Sequence, residues 1–267
     1  MKSYPLVSLL STFKDSKDML KIVADSVLSQ DYPNIEHVIT DAASKDGSAE
    51  LLATYEHQYA EKGYSLVWKS EPDRCIADGV NKAAAMMSGD YFMMLSNPFV
   101  SVDSLSSLTE PMIEDDYDAV CGGAIFHKDG RVIRRWRGTK WSLRLGWMAA
   151  NESLCLKSEL FEKYGPYNEK YIASFDYDFQ LRVFMDKKTR LKAIQIPIVY
   201  FFAGGTSNRG VAENINAIKE NYDILKVNNV KFAWFTVLCK CIASFLAYTF
   251  VSRKDIAQEL EQLSGMN

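Results

Sequence analysis

The sequence contains few of the residues that mark disulfide scaffolds, linkers and low-complexity chains. It has seven prolines and five cysteines among 267 residues, and the cysteines show neither CxxC spacing nor the density of a disulfide framework. No stretch rich in glycine, proline or serine divides the chain, and no internal repeat occurs. With 48% hydrophobic and 24% charged residues, the composition predicts a globular protein with a large core and excludes a disordered or fibrous one.

The first residues lack an apolar stretch of the length that a signal peptide requires. A short apolar run at 6–10 leads into the polar residues 14–18, whereas a secretory signal needs a longer apolar segment. The five cysteines are interpreted as reduced and mostly buried. Both observations predict a cytosolic location.

The small formal charge of −3 hides a strong asymmetry along the chain. Residues 1–127 carry 9 basic and 20 acidic side chains, whereas the residues after 127 carry 22 basic and 14 acidic ones. Such a division is typical of a site where an anionic ligand meets cations, and equally of solvated faces of opposite sign.

Short apolar runs alternate with helical patterns over the first hundred residues. This alternation predicts a parallel sheet flanked by helices, in which ligands bind at the carboxyl ends of the strands. The predicted strands are 6–11, 35–40, 65–68 and 91–95. The informative loops are therefore those that follow Ser11, Thr40, Trp68 and Leu95.

The pattern changes after residue 100. Apolar runs on both sides of the turn 128–130 predict a β-hairpin, and the remaining elements predict an α+β second half in one continuous domain. The expected hairpin strands are 119–126 and 132–136, followed by a strand at 153–156, helices at 158–164 and 175–185, and a strand at 191–202.

An apolar segment at 232–251 contains one formal charge, Lys240. Its length fits a membrane span. However, Thr236, Lys240, Ser244 and Tyr248 recur every four residues and form a narrow polar stripe, which is typical of a helix in a membrane interface or packed against the domain. A span, an interfacial helix and a helix packed against the domain are thus the alternatives, and the charge in mid-helix counts against the span.

Several motifs, in order over roughly the first 210 residues, resemble glycosyltransferase family 2, and within it the bacterial enzymes that build exopolysaccharide, capsule or O-antigen. They are 7–13 (VSLLSTF), 26–36 (SVLSQDYPNIE), 40–48 (TDAASKDGS), 70–82 (SEPDRCIADGVNK), 172–182 (IASFDYDFQLR) and 204–207 (GGTS).

The resemblance implies a GT-A fold of the α/β class, with a mostly parallel central sheet and flanking helices, to which the segment 232–251 adds a C-terminal apolar helix. It implies a nucleotide-diphosphate sugar donor of the UDP or GDP type and an inverting transfer. The expected organisation is a GT-A domain at 1–228, divided into a nucleotide-binding half (1–100) and an acceptor-binding half (101–228). A helical segment that could associate with a membrane follows at 229–267.

By the same resemblance, five residues bind the donor. Thr12 and Asp41 would bind the nucleobase, since a carboxylate can accept hydrogen bonds from a base edge. Asp73, Asp78 and Asn81 would lie beside the ribose and diphosphate, near free helix-start amides. A turn or cap role is the alternative for Asp41, and a plain helix-start role is the alternative for the acids near residue 76.

The resemblance assigns the general base to Asp176. Inverting transfer needs one carboxylate that removes the proton of the acceptor hydroxyl as its oxygen attacks the anomeric carbon. Asp178, two residues further on, would point elsewhere on the same helix. The alternative is that both acids only begin a helix.

The chain departs from the family where a carboxylate normally holds a divalent metal. In the run 95–99 (LSNPF), Phe99 stands at the position of the expected acid, and Asn97 offers one neutral oxygen, a poor ligand for a hard cation. Cys75 replaces a usual glycine, and Asn151 and Glu152 stand where relatives often have His-Gln. Dependence on Mn²⁺ or Mg²⁺ and a metal-independent reaction are both compatible with these residues.

A basic segment at 128–144 could supply the missing positive charge. It carries seven Lys or Arg residues and one acid, Asp129. These cations could stabilise the leaving diphosphate. They could instead bind anionic lipid, with Trp136, Trp141 and Trp147 as interface anchors, or form a solvated hairpin.

The sequence thus predicts an inverting glycosyltransferase, peripheral at the cytoplasmic face of a bacterial plasma membrane, that moves one sugar to a lipid-linked glycan. The rival hypothesis is a catalytically impaired homologue that binds nucleotide or glycan, or serves as a partner subunit of a polysaccharide assembly complex. A dinucleotide oxidoreductase is disfavoured, because no GxGxxG follows the first strand. The basic hairpin lacks a recognised nucleic-acid-binding motif, so no nucleic acid is expected as a partner.

Overall fold

The computed structural model describes residues 4–128, 131–140, 142–202 and 211–249. Within these ranges it contains eight β-strands and eight α-helices. The strands are β1 (Val7–Phe13), β2 (Ile35–Asp41), β3 (Ser65–Ser70), β4 (Tyr91–Met94), β5 (Ala119–Lys128), β6 (Arg131–Trp136), β7 (Leu154–Lys157) and β8 (Leu191–Phe202). The helices are α1 (Lys17–Leu28), α2 (Ser48–Lys62), α3 (Ile76–Met86), α4 (Ser104–Asp115), α5 (Ser158–Tyr164), α6 (Phe175–Met185), α7 (Val211–Val227) and α8 (Ala233–Thr249).

All eight strands belong to one mixed sheet. Its order is β3-β2-β1-β4-β7-β5-β6, and β8 pairs with β5 off this path. The first four strands are parallel, whereas β7 is antiparallel to both β4 and β5. The parallel first half and the β5–β6 hairpin agree with the prediction, whereas β7, which is antiparallel to both of its neighbours, makes the sheet mixed rather than mostly parallel.

The topology brings the carboxyl ends of six strands to the same edge of the sheet. Because β7 is antiparallel to both of its neighbours, β5 runs in the direction of β4, and β8 is parallel to β5. Strands β1 to β5 and β8 thus all end at one edge, called the carboxyl edge below. Ligands of open α/β sheets bind at such an edge.

Helices cover both faces of the central strands, which accounts for their burial. Strand β2 is buried at every position, and β1 is buried at all but one. Leu20 and Val23 of α1 pack in the core on one face, and Val80 and Ala83 of α3 pack in the core on the other. Burying one such aliphatic side chain contributes about 1.5–3 kcal/mol.

The C-terminal helix α8 packs against α7, β6 and a short turn at Leu143–Leu145. It begins one residue after the start of the predicted segment, and residues 250 and 251 lie outside the described part of the chain. In the ranges that the structure describes, none of the helices has the length and apolar character needed to cross a bilayer. The domain boundaries at 228 and 229 stay predictions.

Candidate functional site

The most distinctive polar atom of the carboxyl edge is Oδ1 of Asp41, at the end of β2. Asp41 is fully buried. Its Oδ2 accepts hydrogen bonds from Ser70 Oγ at 2.6 Å and Ser44 N at 3.1 Å, whereas Oδ1 is buried and has no hydrogen-bond partner. An unpaired buried acceptor costs free energy, so this oxygen is suited to a ligand N–H that approaches the edge.

A glycine lets two other predicted donor-binding residues approach the start of α3. A Cβ atom at Gly79 would lie 2.5 Å from Thr12 Oγ1 and 2.6 Å from Asp73 Oδ2. Thr12 Oγ1 is 3.5 Å from Asp73 Oδ2, a long hydrogen bond. An internal glycine costs a helix about 1 kcal/mol relative to alanine, and at this position it leaves room for the side chains of Thr12 and Asp73 to approach each other.

A lysine neutralises the acids at this helix start. Lys82 Nζ lies 2.8 Å from Asp73 Oδ1 and 3.1 Å from Asp78 Oδ2. Asp78 also accepts a hydrogen bond from the guanidinium of Arg74 at 2.7 Å and from the Arg74 N–H at 2.9 Å. These bonds hold the pKa of Asp78 well below its usual range, and the bond from the Arg74 guanidinium has the largest effect. Asp78 thus closes the loop that begins its own helix, while its predicted contact with the donor stays a prediction.

The side chain of Asn81 joins α3 to the second half of the chain. Its Nδ2 donates to Tyr167 O at 2.9 Å, and its Oδ1 accepts from Tyr167 N at 2.8 Å. Arg74 reaches Glu169 across the same boundary at 2.9 Å. Asn81 therefore positions the segment that leads into α6, while its predicted contact with the donor stays a prediction.

The predicted base, Asp176, lies in the first turn of α6. Helix α6 leads into the amino end of β8 and therefore runs in the opposite direction to that strand. The start of α6 thus lies towards the carboxyl edge. Asp176 is partly exposed, and its Oδ1 accepts a hydrogen bond from Tyr177 N at 2.8 Å. A carboxylate that reaches solvent at this edge can meet an incoming hydroxyl group.

The neighbouring acid Asp178 has a different environment. It is buried, and its Oδ2 accepts hydrogen bonds from Arg182 at 3.0 Å. Asn228 Nδ2 lies 3.5 Å from the other oxygen, Oδ1. Asp178 therefore ties α6 to the end of α7, and the two acids of the motif have separate surroundings, as their spacing predicts.

The loop after β4 takes Phe99 into the core. Phe99 is buried with the apolar residues of β1 and α1, and its backbone forms an isolated antiparallel bridge to Val199 of β8. Val100 N donates to Ile198 O at 2.8 Å and Tyr200 N donates to Pro98 O at 3.0 Å. The segment at the expected metal position is thus fixed to β8 by backbone hydrogen bonds.

A buried carboxylate, Glu152, holds the preceding part of this loop. It accepts hydrogen bonds from Ser96 N at 2.9 Å and from Asn97 Nδ2 at 3.2 Å. Asn97 Oδ1 accepts the N–H of Phe202 at 3.4 Å. Burial raises the pKa of Glu152 to about 7, against the lowering effect of these hydrogen bonds.

Replacing Glu152 with glutamine should remove a pH dependence of stability. A carboxyl group whose pKa is raised on folding binds its proton more tightly in the folded state, so its contribution is fully present below pH 4.5 and is lost as pH rises through 7. The difference amounts to on the order of 3 kcal/mol. Urea unfolding in EDTA should show that the free energy of unfolding falls less between pH 5.0 and pH 7.5 for Glu152→Gln than for the wild type. Equal losses would contradict the shifted pKa.

The residues of this loop do not assemble a divalent-metal site. Across the described ranges, no group of three or more His, Cys, Asp or Glu side chains is placed to hold a metal ion. Phe99 offers no ligand, and both polar atoms of Asn97 already have partners. Phe99 and Asn97 therefore do not supply the carboxylate ligand that a hard cation prefers at the position where the resemblance implies one.

The β5–β6 hairpin carries basic residues near the carboxyl edge. The guanidinium carbon of Arg134 lies 4.5 Å from the ring centroid of Trp136 and 5.4 Å from that of Phe126, and aromatic faces attract a cation. The side chains of Arg131 and Arg137 are exposed. The predicted hairpin is confirmed, while Lys128, Asp129, Gly130 and Trp141 lie outside the residues whose side chains the structure describes.

Some residues of the site were missed or only partly recognised in the sequence. Lys82 carries a readable signal, because it follows Asp78 by four residues on one helix face. In the sequence, Glu152 is recognisable only as a departure from the family pattern, and nothing there predicts its hydrogen bonds to the loop after β4. The motif at 204–207 lies outside the described residues.

The sequence matches the description "Glycosyl transferase family 2" over residues 8–179. It is 22% identical over 209 residues to a "PGL/p-HBAD biosynthesis glycosyltransferase" of Mycobacterium bovis (strain BCG / Pasteur 1173P2), an alignment that covers 76% of this chain and 80% of the relative. It is 30% identical over 111 residues to the "Putative teichuronic acid biosynthesis glycosyltransferase TuaG" of Bacillus subtilis (strain 168), covering 41% of this chain and 43% of the relative.

Solved structures share the fold. One is S. aureus TarS 1-349 in complex with UDP-GlcNAc, with a TM-score of 0.67 and 13% identity over 84% of this chain and 66% of that chain. Another is the mannosyltransferase PcManGT from Pyrobaculum calidifontis in complex with GDP-Man and Mn²⁺, with a TM-score of 0.64 and 16% identity over 99% of this chain and 81% of that chain. The chain spans just under two thirds of the length of the solved TarS chain.

Proposed function

The chain belongs to glycosyltransferase family 2, and we propose that it transfers one sugar, with inversion, from a nucleotide-diphosphate donor to a lipid-linked glycan. The observation that carries this proposal is the unpaired, buried Oδ1 of Asp41 at the same edge of the sheet as Asp176. The names of the mycobacterial and Bacillus relatives support bacterial surface glycan synthesis as the setting. We place the enzyme at the cytoplasmic face of the plasma membrane.

Different residues of the carboxyl edge bind the donor and activate the acceptor. Asp41 Oδ1 accepts an N–H of the nucleobase, which Thr12 also contacts, and Asp73 hydrogen-bonds the ribose. Asp176 removes the proton of the acceptor hydroxyl as its oxygen forms a bond to the anomeric carbon. The bond from that carbon to the diphosphate breaks on the opposite face, the electron pair leaves with the nucleoside diphosphate, and the proton stays on Asp176.

We further propose that the reaction proceeds without a bound divalent metal. The leaving diphosphate then needs hydrogen-bond donors or positive charge from the protein itself. The amides at the start of α3 and the arginines of the hairpin would stabilise the diphosphate. Both lie towards the carboxyl edge, so neither requires a rearrangement of the sheet.

Calorimetric titration of UDP and GDP should give the same affinity in EDTA and in Mn²⁺, within about twofold. The reason is that no described carboxylate is free at the position after β4, so a cation would gain few ligands there. A Mn²⁺-dependent tightening of more than about tenfold, roughly 1.4 kcal/mol, would contradict the metal-free reaction. A chain that binds neither nucleotide would support the rival function.

The rival candidate is a binding protein or assembly subunit without transferase activity. The observation that favours it is the burial of Phe99 and the attachment of its loop to β8. The two functions differ in turnover. Incubation with UDP- and GDP-sugars and a lipid extract of bacterial membranes should release nucleoside diphosphate and label the lipid phase if the chain is an enzyme. The rival predicts nucleotide or glycan binding without release.

A further inference from the structure

The two described residues of the polar stripe of α8, Thr236 and Lys240, face the protein. Thr236 is buried and donates a hydrogen bond from Oγ1 to Arg144 O at 2.7 Å. Lys240 Nζ donates to Asn221 Oδ1 at 2.9 Å and lies 3.2 Å from the ring centroid of Tyr177. A helix on the surface of a water-soluble domain normally places its polar side outward. Here the polar side chains have their partners inside.

The outward side of α8 is apolar. Trp234, Leu238 and Ile242, which recur every four residues, are 61%, 48% and 50% exposed. Phe235 and the preceding Phe232 are also exposed. Contiguous exposed apolar side chains of this size mark an interaction surface.

Cations border this helix, and the acids Glu220 and Asp223 of the neighbouring α7 are bonded to the segment before α6. Arg144, in the turn that packs against α8, and Lys231, just before the helix, are both exposed. Between residues 131 and 151 the chain contains no Asp or Glu. An apolar patch bordered by Lys and Arg, with a tryptophan within it, matches the chemistry of an anionic membrane interface.

We propose that this surface, formed by Trp234, Phe235, Leu238 and Ile242 with Arg144 and Lys231 at its border, docks on an anionic lipid bilayer. Helix α8 then lies in the plane of the interface, with its apolar side chains among the lipid headgroups and upper acyl chains. The inference deepens the proposed function, since it names the part of the chain that meets the membrane holding the acceptor.

Docking by this surface has a consequence for the reaction. Lys240, on the inner side of α8, packs on Tyr177, which directly follows the proposed base in α6. The docked helix is thus in contact with the element that carries Asp176.

Vesicle co-sedimentation of the full chain tests the proposal. The wild type should bind vesicles of phosphatidylcholine with 30% phosphatidylglycerol more tightly than vesicles of phosphatidylcholine alone. The double variant Trp234→Gln, Leu238→Gln should lose roughly tenfold or more in affinity, because two exposed apolar groups no longer enter the interface. Arg144→Gln and Lys231→Gln should each lose about fivefold at low salt.

Matched controls come from the other half of the chain. Ile22→Gln removes an apolar side chain that is 45% exposed on α1, and Lys62→Gln removes an exposed cation at the end of α2. Neither should change vesicle binding. Vesicle-bound protein should also show tryptophan quenching by lipids with brominated acyl chains, and Trp234→Phe should bind equally well but lose most of that quenching.

Several results would overturn the inference. One is the absence of binding to anionic vesicles, and another is vesicle binding that the Trp234 and Leu238 changes leave intact. A third is a dimer in light scattering that these changes dissociate, which would assign the surface to a second copy of the chain. Titration of UDP with the same variants separates the two proposals. A protein with normal nucleotide affinity that does not bind vesicles would contradict the membrane-docking proposal but not the proposed transferase activity.

Discussion

Replacing Asp176 with asparagine should abolish sugar transfer while nucleotide affinity stays within about twofold of the wild type. An amide cannot take up the proton of the acceptor hydroxyl, and a general base contributes roughly 10²- to 10⁴-fold to the rate. Asp176 is partly exposed in the first turn of α6, so the isosteric change should leave the fold intact. The measurements are nucleoside diphosphate release and calorimetric titration of UDP or GDP on the same preparation.

The matched control for this prediction lies at the other end of the same helix. Asp186 follows Met185 and bonds Tyr164 and Lys163 rather than any group of the carboxyl edge. Asp186→Asn should therefore keep its transfer rate. Unchanged turnover in Asp176→Asn would remove Asp176 from the mechanism, and a parallel loss of nucleotide affinity would assign it to the donor site instead.

The second large effect should follow from Asp41→Asn, which we expect to weaken binding of the nucleotide by roughly 10- to 100-fold. The N–H of Ser44 donates to Oδ2, so the asparagine oxygen must stay on that side and its NH₂ group must replace Oδ1. A donor would then face the N–H of the base. Calorimetric titration of UDP and GDP measures the loss.

Glu50→Gln is the control for the Asp41 prediction. Glu50 is an exposed acid in the first turn of α2, shortly after the loop that follows Asp41. Its replacement removes one negative charge from the same region but no buried acceptor, so nucleotide affinity should not change. An Asp41→Asn protein that folds and binds both nucleotides as the wild type does would refute the assignment of Oδ1 to the base.

The local elements of the second half could be predicted well from the sequence. Helices α5 and α6 and strand β8 have the bounds that the sequence predicts. The signals that predict these elements are apolar runs and helical spacing, which lie within one element. The hairpin is predictable for the same reason, because its turn and both of its strands are contiguous.

The order of the sheet could not be predicted in the same way. Strand β7 has four residues, all of them buried or partly buried, and it lies between two strands that are distant in sequence. A short strand without alternation carries no signal for its direction or for its partner. The mixed character of the sheet is therefore a tertiary result.

The candidate site shows the same division. Thr12, Asp41 and Asp73 follow from their places at strand ends, which the topology brings together. The role of Glu152 does not, because its partner Ser96 is 56 residues away. The sequence shows the polar stripe of α8, but the inward direction of Thr236 and Lys240 depends on Arg144 and Asn221, which other elements supply.

Electron density for UDP in crystals of the full chain would test the central claim most directly. We predict that the base N–H lies within hydrogen-bond distance of Asp41 Oδ1, and that the diphosphate lies between the start of α3 and the loop after β4, on the side of Asp176. The account would be contradicted by a nucleotide bound away from this edge, for example in the cavity at the opposite edge of the sheet that Ala84, Phe161 and Pro166 line.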